Sequence, residues 1–356
     1  MQQDSTAAAG WYPDGAGAMR WWDGERWTGD RKSASDHSPA RIVDGAAPHY
    51  RLPNADATPT VDVVGESDRL EEIAAVLGRA LQKDERHEQR IDVQLVPEPD
   101  RPGDPTAVSV RAQDRVIGYL ADSAAFQPAL ARITASGLVS TTGAHLSATR
   151  TTLGLRASVR LALVDPELLT PVNALPTGPY SLIPWGRGLQ VLREDEHFAR
   201  LVDVLPGGGR GLVIVTLHPL EGRIEVRLDG ARVGELSPAV SQHFAPTVRH
   251  LGSLGLTAAA YAALRSSPLQ AELTLQAARA SELPEHWVDG PPVTLPPLTP
   301  PASAYDLPAA YMKPMRPTPL TSAEAARATR RLIAWIVVGT SLLVGLSSWI
   351  LGDVLN

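Results

Sequence analysis

Two stretches of the chain carry the same alternation of apolar and polar positions in the same order. IDVQL at 91–95 and VIVTL at 213–217 alternate with period two, as half-buried strands do, and so do AVSV ending at Val110 and RIEV ending at Val226. RVIGYL ends at Leu120 and ARVGEL at Leu236. Then FQPALARITASG from Phe126 and FAPTVRHLGSLG from Phe244 change to helical spacing, with Leu130 and Ile133, or Val248 and Leu251, on one face. Pro128 and Pro246 are read as first-turn residues of these helices, and Gly137 and Gly255 as their C-caps. Upstream, VVGESDRLEEIAAVL from Val63 corresponds to VLREDEHFARLVDVL from Val191. A repeat of this length predicts two tandem copies of one small unit, strands then short helix then strand, with Phe126 and Phe244 at equivalent core positions.

The longest apolar run lies elsewhere. Residues 332–351, LIAWIVVGTSLLVGLSSWIL, contain no charge. At about 1.5 Å rise per residue they span roughly the 30 Å of a bilayer core, with Trp335 and Trp349 near the ends where indoles favour the headgroup region. The expectation is a single C-terminal transmembrane helix. Arg316, Arg327, Arg330 and Arg331 precede it and only Asp353 follows, so the positive-inside rule places the soluble N-terminal region in the cytoplasm. The polar, glycine-rich first thirty residues do not look like a signal peptide.

Between these blocks the pattern lapses. Residues 31–60 are rich in Ser, Ala, Asp and Pro, and 165–187 contain five prolines, so both read as connectors. Between Leu283 and Leu320 eleven prolines accumulate, which predicts a semi-rigid polyproline stalk over 281–330. The expected order is an aromatic N-terminal unit at 9–30, a linker at 31–60, the first module at 61–164, a linker at 165–187, the second module at 188–280, the stalk, and the membrane segment.

Composition narrows the chemistry. There are no cysteines, which excludes disulfides, thiolate nucleophiles and thiolate-held metals. The formal charge of -6 provides no global field for a polyanion, and neither module carries net positive charge. GGGRG at 207–211 lacks the Lys-Ser/Thr of a P-loop, and HExxH and GxSxG are missing. His243 and His250 share a helical face without a carboxylate at ligand spacing, and Glu194 and Glu196 belong to a solvated helix start. No catalytic residue, metal ligand, cofactor or small-molecule substrate is expected, and the chain reads as non-catalytic.

Two resemblances follow from specific residues. VVGES at 63–67, VQLVPEPDRPGDPTAVSV at 93–110 and VIGYL at 116–120 resemble the HIRAN domain, a small OB-like β-barrel found alone in bacteria and attached to DNA-remodelling helicases elsewhere. The resemblance implies a mainly β fold with short helices, in two tandem HIRAN-like barrels of which the second has diverged. It also implies a pocket for a single-stranded DNA 3′ end, built on the loop after the first long strand. On this sequence the matching positions are Asp104, with Arg101 about where the family has asparagine and Gly103 in place of its tyrosine. Arg111 and Arg115 can meet phosphate, and Tyr119 can stack on a base or plug the barrel. In the second copy HPLEGRIEV compresses the loop and Glu235 replaces Tyr119.

AGWYPDGAGAMRWWDGERWTGD at the N-terminus resembles a short tryptophan-rich domain of unknown function common in bacterial membrane proteins. Asp23-Gly24 predicts a hairpin turn. Trp11, Tyr12, Trp22 and Trp27 form either a miniature core or exposed anchors for a partner. Two functions are therefore expected: a membrane-tethered nucleic-acid-recognition protein, or an adaptor recruiting a cytoplasmic protein to the membrane.

Overall fold

The computed structural model describes residues 10–13, 18–22, 26–33, 48–205 and 208–313. The apolar run at 332–351 lies outside them. Among the described residues no helix is long and apolar enough to cross a membrane.

The N-terminal segment forms a three-stranded antiparallel sheet rather than one hairpin: β1 (Gly10–Pro13), β2 (Ala18–Trp22) and β3 (Trp27–Ser33). Trp11 lies opposite Trp21, and Trp22 opposite Trp27. The Asp23-Gly24 turn is outside the described residues.

The first repeat is a closed barrel. Its elements are β4 (His49–Arg51), β5 (Val61–Val64), α1 (Leu70–Leu77), β6 (Arg86–Pro97), β7 (Val108–Ala112), β8 (Arg115–Leu120), α2 (Ser123–Ala135), β9 (Val139–Thr151) and β10 (Gly154–Leu161). Six strands run in the order β10-β5-β8-β7-β6-β9, and β9 pairs with β10 to complete the ring. Closure leaves no free edge between these strands. The period-two positions of β6 carry Val93 and Leu95 inward, where they meet Leu130 and Ile133 of α2. Phe126 joins that core at the start of the helix.

The second repeat follows the same path with β12 (Gly188–Gln190), α3 (Phe198–Val204), β13 (Gly209–Leu220), β14 (Arg223–Leu228), β15 (Ala231–Glu235), α4 (Pro238–Ser253), β16 (Thr257–Ser266) and β17 (Ala271–Gln276). Its strand order, β12-β17-β16-β13-β14-β15, is that of the first ring. Here the ring is a half-barrel, whose end strands meet only in the antiparallel bridge between Leu192 and Glu235. Phe244 sits in its core as Phe126 does in the first. The two units also share irregularities. Each has a β-bulge after the same valine, Val110 or Val226. Each has a glycine, Gly118 or Gly234, at which a Cβ would collide with the valine of the neighbouring seam strand, Val63 or Val191. Close backbone approach at the seam therefore demands glycine there.

The helix ends agree with the sequence and the starts do not. Gly137 and Gly255 adopt left-handed φ of 75° and 73°, and the following Leu138 and Leu256 amides reach back to Ile133 and Leu251, a Schellman closure in both copies. Pro128 and Pro246, in contrast, lie inside helices that begin at Ser123 and Pro238. Each merely lacks one intrahelical donor, and in α4 the first turn is secured by the Ser237 hydroxyl, which accepts from the Val240 amide.

Three expectations about connectors are corrected. Residues 48–53, PHYRLP, and 179–184, PYSLIP, are not linker. They hold β4 and β11 (Tyr180–Leu182), which run parallel to β9 and β16 in matching register. The Val139 amide donates to the Pro48 carbonyl and Thr257 to Pro179, while Leu52 donates to Thr141 and Ile183 to Ala259. The repeat thus begins at these prolines. Third, residues up to Tyr311 of the expected stalk belong to the same compact unit as the barrels. After α5 (Glu285–Val288), which buries Trp287 in the second core, the chain continues as a strap over both modules. Proline cannot donate, but the residues between the prolines can. Val293 donates to the Ser181 hydroxyl, Leu295 to the Tyr180 hydroxyl and Thr299 to the Ser136 hydroxyl. Leu295 and Leu298 also pack against the first core.

Candidate functional site

The loop between β6 and β7 is built from consecutive turns. Glu98 and Ala107 close its base through the Glu98 amide at 2.8 Å, and the amides of Arg101, Asp104 and Ala107 each donate three residues back. Gly103 supplies the left-handed φ of 81°. Asp104 is a structural cap: its Oδ1 accepts from the amide and the hydroxyl of Thr106, at 3.2 and 2.9 Å.

Under this loop lies Tyr119 of β8. Its ring is 8% exposed, and the Arg101 guanidinium carbon sits 3.6 Å from the ring centroid, a cation–π contact. The hydroxyl is buried beside Arg69 without a well-formed hydrogen bond. Burial, aided by Glu98, pushes this phenol above its ordinary value. Arg111, next to the bulge of β7, donates from Nε to Ser109 Oγ and from Nη2 to Glu98 Oε1, both at 2.9 Å. Glu98 is completely buried and its Oε2 has no partner. Arg115 is exposed at the start of β8.

The structure therefore brings together Arg101, Asp104, Arg111 and Tyr119, with Arg115 at the edge of the same sheet. Two of them are committed to the protein itself, since Asp104 caps the loop and Arg111 neutralises Glu98. Sequence reasoning did not select Glu98 or Asp100. The Glu-Pro-Asp run that opens the loop was the available signal, because a charged residue directly after a buried strand must find a partner.

Asp100 and Arg111 have a further partner. Asp100 Oδ1 accepts the amides of Ala310 and Tyr311, at 2.8 and 2.9 Å, and Arg111 Nη2 donates to the Ala310 carbonyl at 2.5 Å. The Ala310 amide foremost, with that of Tyr311, holds the Asp100 carboxyl below the ordinary aspartate value. All three bonds engage peptide groups, so this edge grips the strap backbone irrespective of side chain.

The equivalent place in the second module carries different chemistry. Glu235 occupies the position of Tyr119 and Glu225 that of Ser109, and the two face each other across β14 and β15. Both are buried. Glu235 pairs with Arg223 and with Arg232, the latter at 2.8 Å, and Glu225 with Arg227. Arg193 approaches Glu235 to 3.9 Å and Arg232 approaches Glu225 to 3.7 Å. A two-residue turn at Glu221-Gly222 replaces the loop, so no strap-gripping edge forms there.

Outside these places, no group of His, Asp and Glu that could hold a metal is found among the described residues. The backbones of Trp11, Tyr12, Trp22 and Trp27 lie in the N-terminal sheet; their side chains fall outside what the structure describes.

Comparison with known proteins bears on the N-terminus alone. Residues 9–40 match the family described as "Protein of unknown function (DUF2510)", in agreement with the tryptophan-rich resemblance. No match to the HIRAN family is found. No curated protein and no solved structure matches the chain.

Proposed function

We propose that this protein is a non-catalytic adaptor, anchored in the membrane by residues 332–351 with its barrels in the cytoplasm, and that the first barrel recognises extended polypeptide. The observation behind this reading is the grip of Asp100 and Arg111 on the Ala310–Tyr311 backbone. A site that satisfies one carbonyl and two amides of an extended chain suits a peptide better than a phosphate, which has no donor to offer Asp100. In this reading the chain's own strap is the resident ligand, and a partner's extended segment would take its place.

The test uses the full chain with a protease site introduced at Ser303, an exposed position in the strap. After cleavage, a labelled peptide covering residues 303–313 should bind saturably, and Asp100→Ala should weaken it at least tenfold. Absence of saturable binding, or indifference to Asp100→Ala, removes the peptide reading. For the anchor, truncation before Arg330 should release the protein from membranes, and protease added to intact cells should spare the barrels.

The second reading, recognition of a single-stranded nucleic-acid end, draws on Arg101 over the Tyr119 ring. Stacking there would make Tyr119→Ala cost about 1–3 kcal/mol of oligonucleotide affinity. Fluorescence anisotropy with the same cleaved protein separates the two: an oligonucleotide that binds while the peptide does not would establish this reading instead.

A further inference from the structure

A cavity of about 360 Å³ lies beside the first barrel, between the inter-module segment and the strap. Its walls are mostly apolar, formed by the linker at Pro171–Leu175 and by Leu295–Pro301 of the strap. Three polar side chains interrupt that lining; Asn173 is satisfied by Ile214 and Asp229, which leaves Arg132 and Tyr50. Arg132 of α2 is 8% exposed, and among the described residues no carboxylate pairs with it. Its Nε donates to the Thr299 carbonyl at 2.7 Å and its Nη1 to the Pro171 carbonyl at 2.7 Å, with Thr170 Oγ1 at 3.5 Å. These acceptors are neutral, and Nη2 makes no hydrogen bond to a described residue. The ionisable groups that face Arg132 are the phenols of Tyr50 and Tyr305, not carboxylates, and burial pushes the Tyr50 phenol well above its ordinary value. Tyr50 is completely buried in the cavity wall and its hydroxyl has no partner.

A buried guanidinium without an anion, beside a buried hydroxyl without an acceptor, is an arrangement that interiors avoid unless something completes it. We propose that this cavity binds a small organic monocarboxylate, with its carboxylate between Arg132 Nη2 and the Tyr50 hydroxyl and its apolar body against Leu175, Leu295 and Leu298. The single positive charge matches one negative charge, and the apolar lining disfavours a phosphate dianion, which needs more cations and more donors than the walls supply. Because Thr299 and Pro171 bind the same guanidinium, the occupant would also bear on how strap and linker are held.

Calorimetric titration of the full-length chain in detergent with benzoate tests this, using benzyl alcohol and inorganic phosphate as comparison probes. Benzoate should bind saturably with Kd on the order of 0.1 to 1 mM, a value suited to so small a ligand. Benzyl alcohol and phosphate should each bind at least tenfold more weakly. Arg132→Gln should abolish benzoate binding. Tyr50→Phe, which keeps the shape of the wall and removes only the unpartnered hydroxyl, should weaken it about tenfold while leaving Tm equal or higher. If Arg132→Gln does not fold, Tyr50→Phe decides alone. No benzoate binding at 10 mM ligand (roughly ten times the weakest expected Kd), phosphate binding as tight as benzoate, or native affinity in Tyr50→Phe would overturn the proposal.

Discussion

The two barrels share strand order, bulge, seam glycine, helix cap and core phenylalanine, yet they differ in the chemistry of the seam beside the bulge. Where the first has Tyr119 beneath Arg101, the second has Glu235 among arginines. The first keeps a long loop whose Asp100 reaches the strap, and the second replaces it by a two-residue turn. The lesson is that apolar periodicity and backbone turns conserve the barrel, whereas the seam beside the bulge is free to change its chemistry. A ring sealed by one cation keeps a loop and its neighbours in use. A buried carboxylate pair draws its arginines inward and leaves them neutralised.

Removing the shared core should break the likeness least and cost most. Phe126→Ala and Phe244→Ala should each destabilise their own barrel by about 3–5 kcal/mol, the range for truncating a buried aromatic. Urea unfolding followed by circular dichroism would measure this, and a loss under about 1 kcal/mol at one site would show that the two phenylalanines are not equivalent.

The arginine next to the bulge should separate the modules. Arg111→Ala leaves Glu98 buried and unpaired, at a cost of about 3 kcal/mol. Arg227 is 41% exposed, and its carboxylate Glu225 retains Arg232, so Arg227→Ala should cost under about 1 kcal/mol. Equal losses in the same unfolding measurement would contradict the contrast drawn between the two seams.

The smallest effect belongs to pH. The strap amides hold the Asp100 carboxyl below its unfolded value, which is about 3.9. The contribution of that contact is therefore complete above the unfolded value and fades as pH falls through the lower folded one. Hydrogen exchange at Ala310 and Tyr311, corrected for intrinsic rates, should accelerate below about pH 4. Among the described residues Glu225 and Glu235 pair with arginines and not with the strap, so strap residues near the second barrel should respond less.

Much of this was legible in the sequence. Period-two runs and the Phe-Pro-to-Gly helices located both modules from Val63 and Val191 onward, and the Schellman glycines marked where the helices stop. Arg101, Asp104, Arg111, Arg115 and Tyr119 are grouped by the HIRAN resemblance and not by spacing: Arg101 and Asp104 lie in the loop after β6, whereas the other three come from β7 and β8. The first strand of each repeat escaped notice. PHYRLP and PYSLIP are short and proline-bounded, and they pair in parallel with strands about 90 and 77 positions later, a non-local contact that local propensity cannot register.

By itself, then, the sequence determined the repeat, the mainly β class, the tryptophan-rich N-terminal match at 9–40 and the absence of thiol chemistry, since each depends on spacing or composition within a short window. Tertiary structure decided what those windows cannot hold. It turned a proline-rich spacer into a strap, because the few amides between its prolines find Ser181, Tyr180, Ser136 and Asp100, acceptors that lie far away along the chain. It assigned Arg111 to the buried Glu98 and left Arg132 without a counter-ion. Two arginines of one sequence thus acquire opposite meanings from burial and neighbours, which only the packed fold supplies.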